Sequence, residues 1–227
     1  IPMKDAAPQP TLLGDYAPYP FTVRQVDLTF RLAPSATRVM ARIGFVPNPA
    51  RPGRHALRLD GEKLALLSAR IDGRAVTPAQ DAAGLTVAAA DLPEGPFTWE
   101  AEVEIDPSTN TALEGLYMSG GIYCTQCEAE GFRRITFYPD RPDVMAPFRV
   151  RIEGNLPVLL SNGNPTGRGD GWAEWTDPWP KPAYLFALVA GDLVAVRDRF
   201  VTRSGRSVDL AIWVRKGDEE RCAYAMD

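Results

Sequence analysis

The stretch FTWEAEVEI, Phe97 to Ile105, alternates without a break. Phe97, Trp99, Ala101, Val103 and Ile105 fall on one face, and Glu100, Glu102 and Glu104 on the other. A period of two places successive side chains on opposite faces of an extended chain, so the segment is a half-buried strand. The same pattern returns in VDLTFRL, through Val26, Leu28, Phe30 and Leu32, and in RVMARIGFV, through Val39, Ala41, Ile43 and Phe45. Asp60-Gly61, Asp72-Gly73, Asn162-Gly163 and Ser204-Gly205 read as hairpin turns, because each pair tolerates a positive φ. The chain holds 21 Pro and 19 Gly, which leaves little room for long helices. These features predict an all-β fold of two packed, mostly antiparallel sheets with few or short helices.

Further along, DPWPKPAYLFALVAGDL is a Pro-rich link into an apolar run, and Tyr184 to Ala190 reads as a buried strand. VAVRDRFVTRS and RSVDLAIWVRK read as one hairpin. The Gly-rich NGNPTGRGDG reads as a hairpin loop; it lacks the lysine of a phosphate-binding loop. The last residues, GDEERCAYAMD, read as the start of a helix, so the sequence is expected to be part of a longer protein. The Pro- and Ala-rich start predicts a flexible lead-in over residues 1–14.

The formal charge is −4 and no basic stripe is present, which argues against a nucleic-acid partner. No run approaches the roughly 18 apolar residues of a membrane span. Three cysteines do not make a disulfide scaffold, and free thiols point to a cytoplasmic location.

Two cysteines lie in GIYCTQCEAEGFRR, as Cys124 and Cys127. A structural zinc site needs about four ligands. Cys222 is distant, and His55 is the one histidine, read as a surface or strand-edge residue. A redox pair needs a helix N-terminus to lower one thiol pKa, and acidic β surroundings do the opposite. The cysteines therefore read as small side chains packed under a loop. Neither HExxH nor G-x-S-x-G occurs. Glu128 and Glu130 are two apart, so on an extended segment they share a face. Gln126 with Glu128 could receive a ligand ammonium, since both offer acceptor oxygens. Ion pairs of the glutamates with Arg133 or Arg134 explain the residues equally well.

Three stretches, taken together, resemble one family. They are NTALEGLYMSGGIYCTQCEAEGFRRITFYPDRPDVMAPFRVRI, LLSNGN and DPWPKPAYLFALVAGDL. They are similar to the bacterial aminopeptidase N family of zinc-dependent gluzincin peptidases, from about Asp15 onward. Pro139, where leucine is more usual, is a small departure. The resemblance implies a saddle-shaped N-terminal β domain over residues 15–192. Residues 193–227 would be the opening strands of a truncated thermolysin-like catalytic domain, the domain's partner in cis.

The zinc, its ligands and the catalytic residues would lie in that later domain. This chain would bind no zinc, contain no catalytic residue and be inactive alone. In the family, the glutamine and the first glutamate of the TQCEAEGFR loop line the pocket for the peptide's first residue. By that match, Gln126 and Glu128 would hold the peptide's free α-amino group, with Glu128 one of an anionic pair. Such an anion selects N-termini, because an internal peptide leaves it unpaired at a cost of about 1–3 kcal/mol. A different class of reading is a stand-alone β-sandwich binding module without catalysis.

Overall fold

The computed structural model describes residues 12–227. The expected flexible lead-in falls largely outside that range. Leu13–Asp15 form an exposed 3-10 turn, and the strands begin at Phe21.

The largest sheet has eight strands, assembled from β1 (Phe21–Arg31), β2 (Thr37–Pro47), β4 (Ala65–Ile71), β5 (Arg74–Ala75), β8 (Phe97–Ile105), β11 (Met145–Glu153), β13 (Asn164–Gly169) and β14 (Trp172–Pro182). Their spatial order is β13-β14-β11-β1-β2-β8-β4-β5. Every neighbouring pair is antiparallel except β1 and β11, which run parallel. A three-stranded sheet joins β3 (Leu57–Asp60), β6 (Ala79–Asp81) and β7 (Gly84–Val87). A four-stranded sheet joins β9 (Gly115–Ser119), β10 (Ile122–Gln126), β12 (Val158–Ser161) and β15 (Leu188–Gly191), in the order β12-β15-β10-β9. Among the described residues, the last two strands, β16 (Val194–Val201) and β17 (Ser207–Val214), pair only with each other. The all-β expectation holds, with four sheets rather than two among the described residues. Among the described residues, helices are short 3-10 turns and one four-residue helix, α1 (Ala223–Met226). No described helix is long and apolar enough to cross a membrane.

The alternation builds this arrangement directly. All five odd-numbered apolar residues of β8 are buried, as are Val39, Ala41, Ile43 and Phe45 of β2. On β1 the inward set changes phase, from Phe21 and Val23 to Val26, Leu28 and Phe30. A bulge between Val23 and Gln25 absorbs the extra residue and keeps both halves facing the core. The other face of the sheet carries charge: Arg38 reaches Glu102 and Glu104 at 3.2 and 2.9 Å, and Arg151 reaches Glu153 and Glu174 at 2.7 and 2.8 Å. One continuous core joins this sheet to Leu57, Leu59, Leu85 and Val87 of the three-stranded sheet and to Leu116, Tyr123, Leu188 and Ala190 of the four-stranded one.

Two turn expectations hold and two do not. Asp72 and Gly73 take φ of 48° and 77° and join β4 to β5, and Gly205 at 81° closes β16 onto β17. Asn162-Gly163 instead carries the chain from the four-stranded sheet to the eight-stranded one. Asp60-Gly61 ends β3 without a hairpin. A Cβ at Gly61 would overlap the Phe137 ring, so this glycine serves packing. NGNPTGRGDG is mostly strand β13, and its turn is the terminal Asp170-Gly171 pair. The buried strand expected over Tyr184 to Ala190 is shorter than that, because Ala183–Leu185 form a 3-10 turn before β15.

Candidate functional site

The segment singled out in the sequence follows the β9–β10 hairpin. Strand β10 is held in its sheet on both sides, by β9 through Ile122 to Gln126 and by β15 through Tyr123 and Cys124. At Thr125 the side chain takes over: its hydroxyl accepts from the Leu188 N–H at 2.8 Å and donates to the Leu188 carbonyl at 3.3 Å. The strand ends at Gln126. Cys127 then turns inward and is buried, and residues 128–131 form a turn. The Gly131 N–H donates to the Cys127 carbonyl at 2.8 Å. Phe132, fully buried, opens a 3-10 turn through Arg134. Its ring meets Tyr138, Phe148 and Phe186 at centroid distances of 5.1, 6.0 and 5.3 Å.

Cys127 and Phe132 are thus two buried posts with an exposed arch between them. Glu128, Ala129 and Glu130 form the arch, and Gln126 is exposed at its foot. The peptide bond joining Glu128 to Ala129 is cis. The Gln126 amide donates to the Glu128 carbonyl at 3.3 Å, so the structure brings the two expected site residues together. Glu128 and Glu130 do not share a strand face, because the extended conformation has already ended.

The glutamates differ in their partners. Glu130 pairs with Arg133 at 3.5 Å. Arg134 is taken by Glu62 at 2.9 Å and Glu114 at 3.2 Å. Among the described residues, the Glu128 carboxylate makes no ion pair. Ion pairing with the neighbouring arginines therefore accounts for Glu130 and leaves Glu128 unexplained.

Beneath the arch lies a residue that the sequence reading passed over. Asp140, 4% exposed, accepts from the Arg133 backbone N–H at 3.1 Å and from its Nε at 3.2 Å. The Asp140 N–H donates to Asp60 Oδ2 at 3.0 Å. Burial pushes the Asp140 carboxyl above its ordinary range, against the pull of Arg133. The available signal was one acid ending the apolar run ITFYPD, which then needs a buried partner.

The thiols follow their surroundings. Burial, and then the charge of Asp140, push Cys127 up to about 12. Burial also raises half-buried Cys124, with Arg215 opposing. All three cysteines are free thiols. The expected packing role fits Cys127 well, and the main cause of its raised pKa is burial rather than acidic neighbours. His55 lies just before β3, its Nε2 3.1 Å from the Pro52 carbonyl. Among the described residues no three His, Cys, Asp or Glu side chains converge as a metal ligand set.

Comparison with known proteins agrees with the motif resemblance. The chain is 51% identical to aminopeptidase N of Caulobacter vibrioides, over 99% of this chain and 27% of that protein. It is 46% identical to aminopeptidase N of Escherichia coli, over 96% of this chain and 26% of that protein. The chain thus spans about a quarter of the length of these relatives. Among solved structures, aminopeptidase A of Legionella pneumophila in complex with aspartic acid superposes with a TM-score of 0.85 at 33% identity, over 94% of this chain and 26% of that one. An M1 zinc metallopeptidase of Deinococcus radiodurans shares the fold at a TM-score of 0.69 and 18% identity, over 87% of this chain and 48% of that one. Residues 53–185, more than half of the chain, match the model of the peptidase M1 N-terminal domain. The chain belongs to the peptidase M1 N-terminal domain family.

Proposed function

We propose that this chain is the amine-anchoring and supporting part of a zinc aminopeptidase, with Glu128 and Gln126 receiving the free α-amino group of a peptide. The observation that carries the reading is the state of Glu128: it is an exposed carboxylate without an ion pair among the described residues, on an arch fixed by buried residues at both ends. An anion held ready in a rigid loop fits a cationic ligand, because little ordering entropy remains to be lost on binding. The Gln126 oxygen adds a neutral acceptor beside it. The relatives' names supply the chemistry, since those proteins are aminopeptidases.

Binding the ammonium positions the first residue of the peptide and excludes chains without a free N-terminus. When bound in the longer protein, zinc would polarise the scissile carbonyl and activate a water. The residues that hold it would come from beyond this chain, whose share is positioning. On this reading residues 15–192 form the supporting domain, and residues 193–227 begin the catalytic one.

The test uses the longer protein encoded by the natural reading frame. Glu128→Ala is expected to lower kcat/KM for a free-amine dipeptide about 10–100-fold while zinc content stays constant. Unchanged kinetics would reject the anchoring role. The 227-residue chain alone is expected to hydrolyse no alanyl anilide, and turnover by a pure, contaminant-free sample would refute that part.

A further inference from the structure

The Glu128–Glu130 arch is stabilised by more than apolar burial. Phe132 anchors its far end in the core, but an aromatic ring in a greasy pocket fixes position better than direction. Direction is set one residue later. The Arg133 N–H leaves the 3-10 turn towards Asp140, whose Oδ2 takes that N–H and the Arg133 Nε together. Arg133 Nη2 also donates to the Asp140 carbonyl at 3.3 Å. The Arg133 carbonyl in turn accepts from the Glu62 N–H at 3.0 Å. Asp140 is itself oriented by Asp60, and Asp60 exchanges backbone hydrogen bonds with Tyr138 at 2.9 and 3.1 Å. Both backbone groups of Arg133 are therefore held, the N–H by Asp140 seven residues on and the carbonyl by Glu62, which is distant in sequence.

We propose that Asp140, acting through Arg133, is a positioning residue that sets the arch and so the placement of Glu128. Asp140 lies beneath the arch, buried, and its bonds go to Arg133 and Asp60. It satisfies a backbone N–H at the first turn after the arch, where a change in direction swings Ala129 and Glu128 with it. A carboxylate suits this task because one oxygen can take two donors at once. For peptide binding, this inference rests on the amine-anchoring reading; for arch closure it stands without it.

Cys127 reports arch closure, since its thiol is covered at 2% exposure at the arch's other foot. Cys222, also buried but in the 3-10 turn Glu219–Cys222, serves as the internal control. Native alkylation with N-ethylmaleimide, mapped by peptide mass spectrometry, reads both thiols in the purified chain. Asp140→Ala is expected to speed Cys127 labelling about tenfold and leave Cys222 unchanged. Asp140→Asn, which keeps one acceptor oxygen, is expected to restore most of the protection. Asn also preserves shape, so if the alanine variant does not fold, faster hydrogen exchange in Asp140→Asn at the Gly131 N–H, which closes the turn on the Cys127 carbonyl, decides the matter. Equal labelling of Cys127 in wild type and variants overturns the proposal, and so does faster hydrogen exchange across β2 and β8, which marks general loosening.

In the longer protein, Asp140→Ala is expected to raise KM for a free-amine dipeptide about tenfold with kcat nearly unchanged. Glu128→Ala run beside it separates the two ideas. If Glu128→Ala is impaired and Asp140→Ala is not, the positioning role is wrong. If Glu128→Ala is normal, the anchoring reading fails, and the labelling result still decides what holds the arch.

Discussion

Cys127 shows how one residue's environment becomes a measurable property. Its thiol is buried and carries a pKa raised to about 12 from an ordinary 9.0. The neutral form is the one the fold favours. Its contribution to stability is complete below pH 9 and is lost as pH rises from 9 towards 12, by about 1.4 kcal/mol per pH unit. Urea midpoints measured from pH 8.5 to 10 are expected to fall more steeply for the wild type than for Cys127→Ala. Equal slopes would show that the thiol titrates alike in both states. Gly131 gives a second residue-level test. Its φ is −80°, open to any residue, yet an added Cβ would overlap the Gln126 carbonyl and lie 3.0 Å from Gly115 N. Gly131→Ala is therefore expected to cost about 1–3 kcal/mol through contact alone, read as a drop in the denaturation midpoint. A neutral substitution would mean that the arch yields more easily than its packing implies.

At the scale of the element, β10 is a strand whose ladder ends early. Two residues pair with β15, and Thr125 continues the connection through its hydroxyl. Thr125→Val keeps the shape and removes both hydrogen bonds. The Leu188 N–H is left without that partner, at a cost of about 1–3 kcal/mol. Hydrogen exchange at Leu188 is expected to accelerate in this variant while β2 and β8 stay protected. Uniform acceleration would show that β10 unfolds only with the whole domain. Period-two strands such as β2 and β8 are legible from sequence because the pattern is local. The β1–β11 pairing is not, since Val26 faces Phe148 across more than a hundred residues. Asn162-Gly163 resembles a hairpin for the same local reason, and only the destination of the next strand shows that it changes sheets.

For the whole molecule, the core ends before β16. None of the strands β16 and β17 contributes to the buried cluster, and Phe200 and Val201 stand exposed at the hairpin's far end. Its ties to the remainder include Arg215 to the Ser119 carbonyl at 2.9 Å and Lys216 to Asp192 at 3.0 Å. Exposed contacts of this kind stabilise little. A chain ending at Asp192 is expected to fold with a melting temperature within about 4 °C of the longer one. Loss of cooperative unfolding on truncation would place the hairpin inside the domain and move the proposed boundary.

The sequence by itself determined the all-β class, the inward and outward faces of the long strands, the closing hairpin and the pairing of Gln126 with Glu128 in one motif. Each depends on neighbours within a few residues, where strand periodicity and positive-φ turns act. Only the tertiary structure decided that Arg134 is taken by Glu62 and Glu114, which leaves Glu128 without an ion pair among the described residues, and that Asp140 is oriented by Asp60. Those outcomes depend on which distant groups arrive at the same place. Burial makes that arrival consequential: a carboxylate without a partner is ordinary in water and costly in the core.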